Sequence, residues 1–171
     1  YQQAEVLFTD AKELQIKIIT KKYPHFNSWI KKDKEIKFDR DDVSDLYWLS
    51  GAIGGSIKAS RGNPLYLIEL PLVGRLLNKS LALDHKWGGG ALYSGMMSYT
   101  ASRSDLNNVM LRDSVDYYFQ KALQHSNSKD ASLFVSYAES IHKPFQEKSE
   151  FISKLKMAID IKVERGNTFK L

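Results

Sequence analysis

Chemistry in this chain would have to come from a small set of side chains. The four histidines, His25, His85, His125 and His142, are scattered, and there is no cysteine. Glu139 and His142 stand three apart on one helical segment, a spacing used by metal sites in helix bundles. No matching ligands occur on other segments, so the pair reads as an ordinary polar helix face. Gly88-Gly89-Gly90 precedes a helix and could turn backbone N–H groups toward an anion. It has neither a P-loop lysine nor a preceding strand, and reads as a turn between helices. With no HExxH, no Walker loop and no GxSxG elbow, the chain is not expected to be an enzyme and needs no cofactor or metal.

Binding is the better-supported chemistry. Three groups of residues flank apolar helix stripes: Tyr47, Gly51 and Gly54; Tyr93, Met97 and Thr100; Val135, Glu139 and His142. Tyrosine and methionine beside glycine gaps offer broad surfaces, adaptable packing and room for close approach. These nine residues are the candidate site for a small apolar ligand. Tyr93 and Met97 can equally be read as core filling, and Trp48 and Trp87 as structural anchors.

The elements that must carry these groups are helices. Residues 70–99 form the central stretch. Val73, Leu76, Leu77, Ser80 and Leu81 recur at i, i+3, i+4, i+7 and i+8, and Leu92, Met96 and Tyr99 begin a second stripe beyond the glycines. That is a helix–break–helix pair. The first stripe repeats as Val115, Tyr118, Phe119, Ala122 and Leu123, and again as Phe151, Lys154, Leu155, Ala158 and Ile159. A large residue, then a small one, then an aliphatic one is the second-helix pattern of tetratricopeptide (TPR) repeats. The copies here lie further apart than the usual period of about 34 residues. The predicted fold is all-α, TPR-like stacked antiparallel helix pairs in an irregular superhelix. An ordinary helical bundle is the plainer alternative.

The remaining elements follow in order. Ala4, Leu7, Phe8, Ala11, Leu14 and Ile18 predict a helix to about Lys22, ended by Tyr23-Pro24. Residues 27–37 hold a short helix or loop with Trp29. Asp41-Asp42 is an N-cap signal for a helix reaching about Ser60, with Leu46, Leu49, Ile53 and Ile57 inward and Gly51, Gly54 and Gly55 within it. Pro64 opens a short segment. Residues 102–112 read as a loop, with Asp113 or Ser114 capping the next helix. Asp130 caps residues 131–142, and a last helix runs over about 146–162. Residues 1–171 are expected to form one domain: a cap over 1–40, helix-pair repeats over 41–162, and the start of a truncated segment over 163–171.

Bulk properties agree with a globular helical protein. The 171 residues are 43% hydrophobic and carry a net charge of +5, much of it from Lys21, Lys22, Lys31, Lys32, Lys34 and Lys37. No nucleic-acid-binding signature accompanies these lysines, and no apolar run is long enough to span a membrane. The chain opens at Tyr1 with helix already under way, which reads as a processed or trimmed start.

An ordered set of segments then carries a resemblance. Asp45-Leu46-Tyr47-Trp48-Leu49, Glu69-Leu70-Pro71 with LLNKSLALD, Gly90-Ala91-Leu92 with Ser98-Tyr99, YYFQKALQHS, and Ser136-Tyr137-Ala138-Glu139-Ser140 resemble the T component of TRAP transporters over nearly the whole chain. The resemblance implies a periplasmic lipoprotein with degenerate TPR-like helices. It implies a non-catalytic accessory role beside a TRAP substrate-binding protein and a membrane permease, a largely apolar channel for a small ligand, and assembly into homo-oligomers. The membrane would be touched only through an N-terminal lipid anchor, whose cysteine this chain lacks. Family members continue beyond this chain's last residue into a segment rich in arginine and aromatics. The alternative function is a generic TPR-like scaffold binding a peptide segment of a partner.

Overall fold

The computed structural model describes residues 2–162; the expectation for residues 163–171 falls outside them. Among the described residues every regular element is helical. They are α1 (Gln2–Lys22), α2 (Phe26–Ile30), α3 (Val43–Ala59), α4 (Pro64–Leu67), α5 (Leu70–Leu83), α6 (Ala91–Ala101), α7 (Asn108–His125), α8 (Ala131–Tyr137) and α9 (Lys148–Asp160). The chain divides into two compact units, residues 1–87 and residues 88–171.

In the first unit α3 packs against both α1 and α5. Its inward stripe is the expected one: Leu46, Leu49, Ile53 and Ile57 are buried, facing Val73, Leu76 and Leu77 of α5. Beside them Trp29 is buried among Phe26 and Phe38, with the Arg75 guanidinium 3.7 Å over its ring and donating to the Trp29 and Ile30 carbonyls. Asp42 stands at the N-cap position of α3, within the expected Asp41-Asp42, but its side chain makes no cap bond to that helix. Asp39 accepts from the Asp41 N–H, and Asp42 answers by accepting from the Asp39 N–H at 2.8 Å, a capping box around the 3-10 turn Arg40–Asp42.

The orientation of α1 differs from the expectation. Most of its apolar stripe is turned outward: Leu7 is 63% exposed and Leu14 60%, while Phe8 reaches α3 and Ile19 is buried. The helix is turned so that its polar groups find partners. Glu5 accepts from the Tyr66 hydroxyl at 2.6 Å, Lys12 pairs with Glu69 at 3.0 Å, and Gln15 donates to Asp45 at 2.9 Å. Phe8 lies over Gly55, where a Cβ would collide with its ring.

The second unit packs α6 on α7 and α8 on α9. The stripe of α7 is buried at Val115, Phe119 and Ala122, and Phe119 stacks on Tyr137 at 4.2 Å. The helix starts earlier than predicted, capped by the Asn107 side chain, which accepts from the Met110 N–H, rather than by Asp113 or Ser114. Asp130 caps α8 as expected. The third copy of the stripe is not core: α9 has no buried residue and Ile159 is 80% exposed. It packs on α8 and the turn after it, and Lys154 lies 5.2 Å over the Phe119 ring of α7.

The predicted helix pair around residues 70–99 is divided between the two units. Its first helix packs on α3 within the first unit, and its second packs on α7 within the second. The break between them is a left-handed run: Gly88, Gly89 and Gly90 have φ of 65°, 56° and 101°. An L-residue pays about 1–2 kcal/mol for each such position. A Cβ on Gly90 would also stand 2.7 Å from the Ala122 carbonyl oxygen. Gly90→Ala should therefore lose about 2–3 kcal/mol in denaturant unfolding. Gly51→Ala, in a helix with open space above it, should gain about 0.5–1 kcal/mol. Equal effects of the two would refute this reading of the turn.

Candidate functional site

In the first unit the expected site residues Tyr47, Gly51 and Gly54 lie along one face of α3. A helix brings positions i, i+4 and i+7 to one side, and neither glycine has any group within 4 Å of where a Cβ would stand. Two tryptophans border this face. Tyr47 meets Trp48 edge-on at 5.2 Å and Trp87 at 4.9 Å. Trp87 is half-buried, in keeping with an anchor, but Trp48 is 60% exposed and is not one. Trp48 belongs to the surface group that sequence reasoning left out. The signal was available: Tyr47 and Trp48 are neighbours, and Gly51 lies one turn beyond both.

In the second unit Tyr93, Met97 and Thr100 share one face of α6, and all three are buried. Tyr93 stacks on the His125 ring at 5.0 Å, and burial, with the nearby Tyr117, raises its hydroxyl pKa. Val135 and Glu139 are exposed on α8 and the turn that follows it, while His142 is only 6% exposed. The cause is a π-turn over Ala138–His142, which inserts extra backbone and takes His142 out of phase with Glu139. The expected common face of Glu139 and His142 is thereby lost. Among the described residues there is no group of three or more metal-ligating side chains.

The π-turn is tied down electrostatically. His142 Nδ1 lies 2.7 Å from Glu147 Oε2, and Arg112 of α7 donates to Glu147 Oε1 at 2.7 Å. The hydrogen bond to His142, then that from Arg112, holds the Glu147 carboxyl below the usual range. Arg112 also sits 4.5 Å over the Phe145 ring. Next to it Tyr137 donates to Asp116 at 2.5 Å, and burial followed by that bond pushes the phenol pKa up. These contacts join α7, α8 and the start of α9.

Among the described residues the chain is an all-α scaffold. The family model for the TRAP transporter T-component matches residues 1–171, and the chain belongs to that family. It is thus an accessory component of a TRAP system. A search among curated proteins finds no match. No helix among the described residues is long and apolar enough to cross a membrane.

The sign of one pH effect follows from Glu147. Its folded pKa is depressed, so its stabilising contribution is complete above the unfolded value of about 4.3 and is lost as pH falls through the folded one. Glu147→Gln removes that dependence. Thermal melts between about pH 6 and pH 3 should fall less steeply for the variant than for wild type. Parallel profiles would show that Glu147 carries no acid-linked stability.

Proposed function

We propose that the chain is a periplasmic, lipid-anchored TRAP accessory protein that acts by binding the system's substrate-binding protein. Residues 1–171 act as one TPR-like domain, with homo-oligomers as a further assembly. The observation that carries this reading is the exposed Trp48 beside the open face of Gly51, in a chain of the T-component family. An exposed tryptophan is the side chain most enriched among residues that dominate binding energy at protein interfaces. A complex of standard size would bury about 1,200–2,000 Å². The lysines Lys31, Lys32 and Lys34 are exposed and steer the encounter, so added salt should slow association more than it speeds dissociation.

The test is sedimentation of the chain with the substrate-binding protein encoded beside it, at tens of micromolar. Co-migration is expected, and Trp48→Ala should weaken it about tenfold or more. Independent migration of the wild-type proteins would defeat the partner reading and favour a generic scaffold that binds a peptide segment.

Tyr47, Gly51 and Gly54, on the open face of α3, are proposed to hold a small apolar ligand. Gly51→Leu fills space that is free in the wild type. Binding of an environment-sensitive apolar fluorophore should fall in this variant while its helical circular dichroism is retained. Equal binding by the two proteins would remove Gly51 from the site.

A further inference from the structure

A solvent-open cavity of about 370 Å³ lies where the π-turn leads into α9, lined by His142, Lys143, Gln146, Lys148 and Phe151. Three irregularities meet in this short segment. The backbone makes a π-turn over Ala138–His142. Gln146 holds a left-handed φ of 58°, a conformation that costs energy for a residue with a side chain. His142 is nine-tenths buried, and its Nε2 has no hydrogen-bond partner. Buried polar atoms are almost always satisfied, and strain of this kind gathers at ligand clamps.

The charge around the cavity is one-sided. Neither Lys143 nor Lys148 has an ion-pair or ring partner among the described residues. The carboxylate between them in sequence, Glu147, is engaged by His142 and Arg112. Glu150 is exposed and does not line the cavity. Two lysines without an ion-pair partner thus line the cavity together with Phe151. An apolar cavity of about 150 Å³ already admits benzene, so this one has room for a single ring with a charged head group.

We propose that this cavity binds a small organic anion, with a carboxylate or phosphate head between Lys143 and Lys148 and an apolar body of about one ring against Phe151. The site is independent of the partner reading and shares only His142 with the candidate residues above. Gln146 sets the turn that brings the two lysines to one cavity, its N–H donating to the Lys143 carbonyl at 3.2 Å. His142, held at Nδ1 by Glu147, lines the cavity and reports on occupancy.

The test uses the whole chain and three probes: benzoate, phenyl phosphate and, as the neutral control, benzyl alcohol. Each is titrated while the backbone amides of residues 143–151 and the His142 ring are followed by NMR, with calorimetry alongside. Saturable shifts with at least one anion and none with benzyl alcohol are expected. The tighter anion identifies the head group as carboxylate or phosphate. Lys143→Gln and Lys148→Gln should each weaken binding about tenfold, as loss of a charge-assisted contact does. Both lysines are exposed, so these variants keep the fold, and the exposed Lys129 provides Lys129→Gln as a control that should bind as wild type does. Absence of saturable shifts, equal binding of benzyl alcohol, or equal loss in Lys129→Gln would overturn the proposal. None of these outcomes bears on the complex with the substrate-binding protein, which sedimentation reads separately.

Discussion

Asp42 holds the first unit together at its most crowded corner. Its side chain accepts from Lys22 at 2.7 Å, from the Tyr23 hydroxyl at 2.6 Å and from the Asp39 N–H at 2.8 Å. Burial alone would raise the pKa of this carboxyl. The bonds from Lys22, Tyr23 and Asp39 outweigh burial and hold it below the ordinary value. A buried carboxylate is tolerated only when its lone pairs are satisfied, and here the donors come from the end of α1 and from the loop before α3. The contact thus fixes where α1 stops and where α3 starts. It also accounts for the unexpected face of α1: with Lys22 fixed on Asp42, the turns before it place Gln15, Lys12 and Glu5 toward Asp45, Glu69 and Tyr66.

The second unit repeats the device with other residues. Glu147 collects Arg112 from α7 and His142 from the π-turn, just before α9 begins. In both units a carboxylate close to a helix start gathers donors from elements distant in sequence, while apolar stripes supply most of the burial. The polar hub sets register and angle; the stripe supplies the larger free energy.

The all-α class and most helix bodies were legible because apolar spacing is a local signal. Val73 to Leu77, Val115 to Ala122 and Leu46 to Ile57 carry inward stripes that the structure retains. What was not legible depends on distant partners. The Lys12–Glu69 pair spans 57 residues, and no periodicity announces that Glu5, Lys12 and Gln15 will find Tyr66, Glu69 and Asp45 while Leu7 and Leu14 stay exposed. The same holds for α9, whose stripe is sound as a pattern but has no buried residue. Residues 138–142 failed for another reason. A π-turn has no compositional mark, and it shifts every later side chain by about one position relative to an α-helix. Glu139 and His142 were therefore grouped by an α-helical spacing that the backbone does not keep. Trp48 is the opposite case: its exposure could be read from its place opposite the inward stripe, but size alone favoured an anchor.

These departures share a direction that bears on function. The face of α3 sets an exposed tryptophan beside two open glycines, and the segment after α8 sets two lysines without an ion-pair partner beside a buried histidine. A sequence selected only for stability would place a side chain at Gly51 and Gly54, because alanine is the better helix former and nothing there obstructs it. It would also have no reason to leave Nε2 of His142 unsatisfied. Stability forgone at specific surface positions is the physical signature of positions held for contact with something else. That pattern fits an accessory component of a TRAP system.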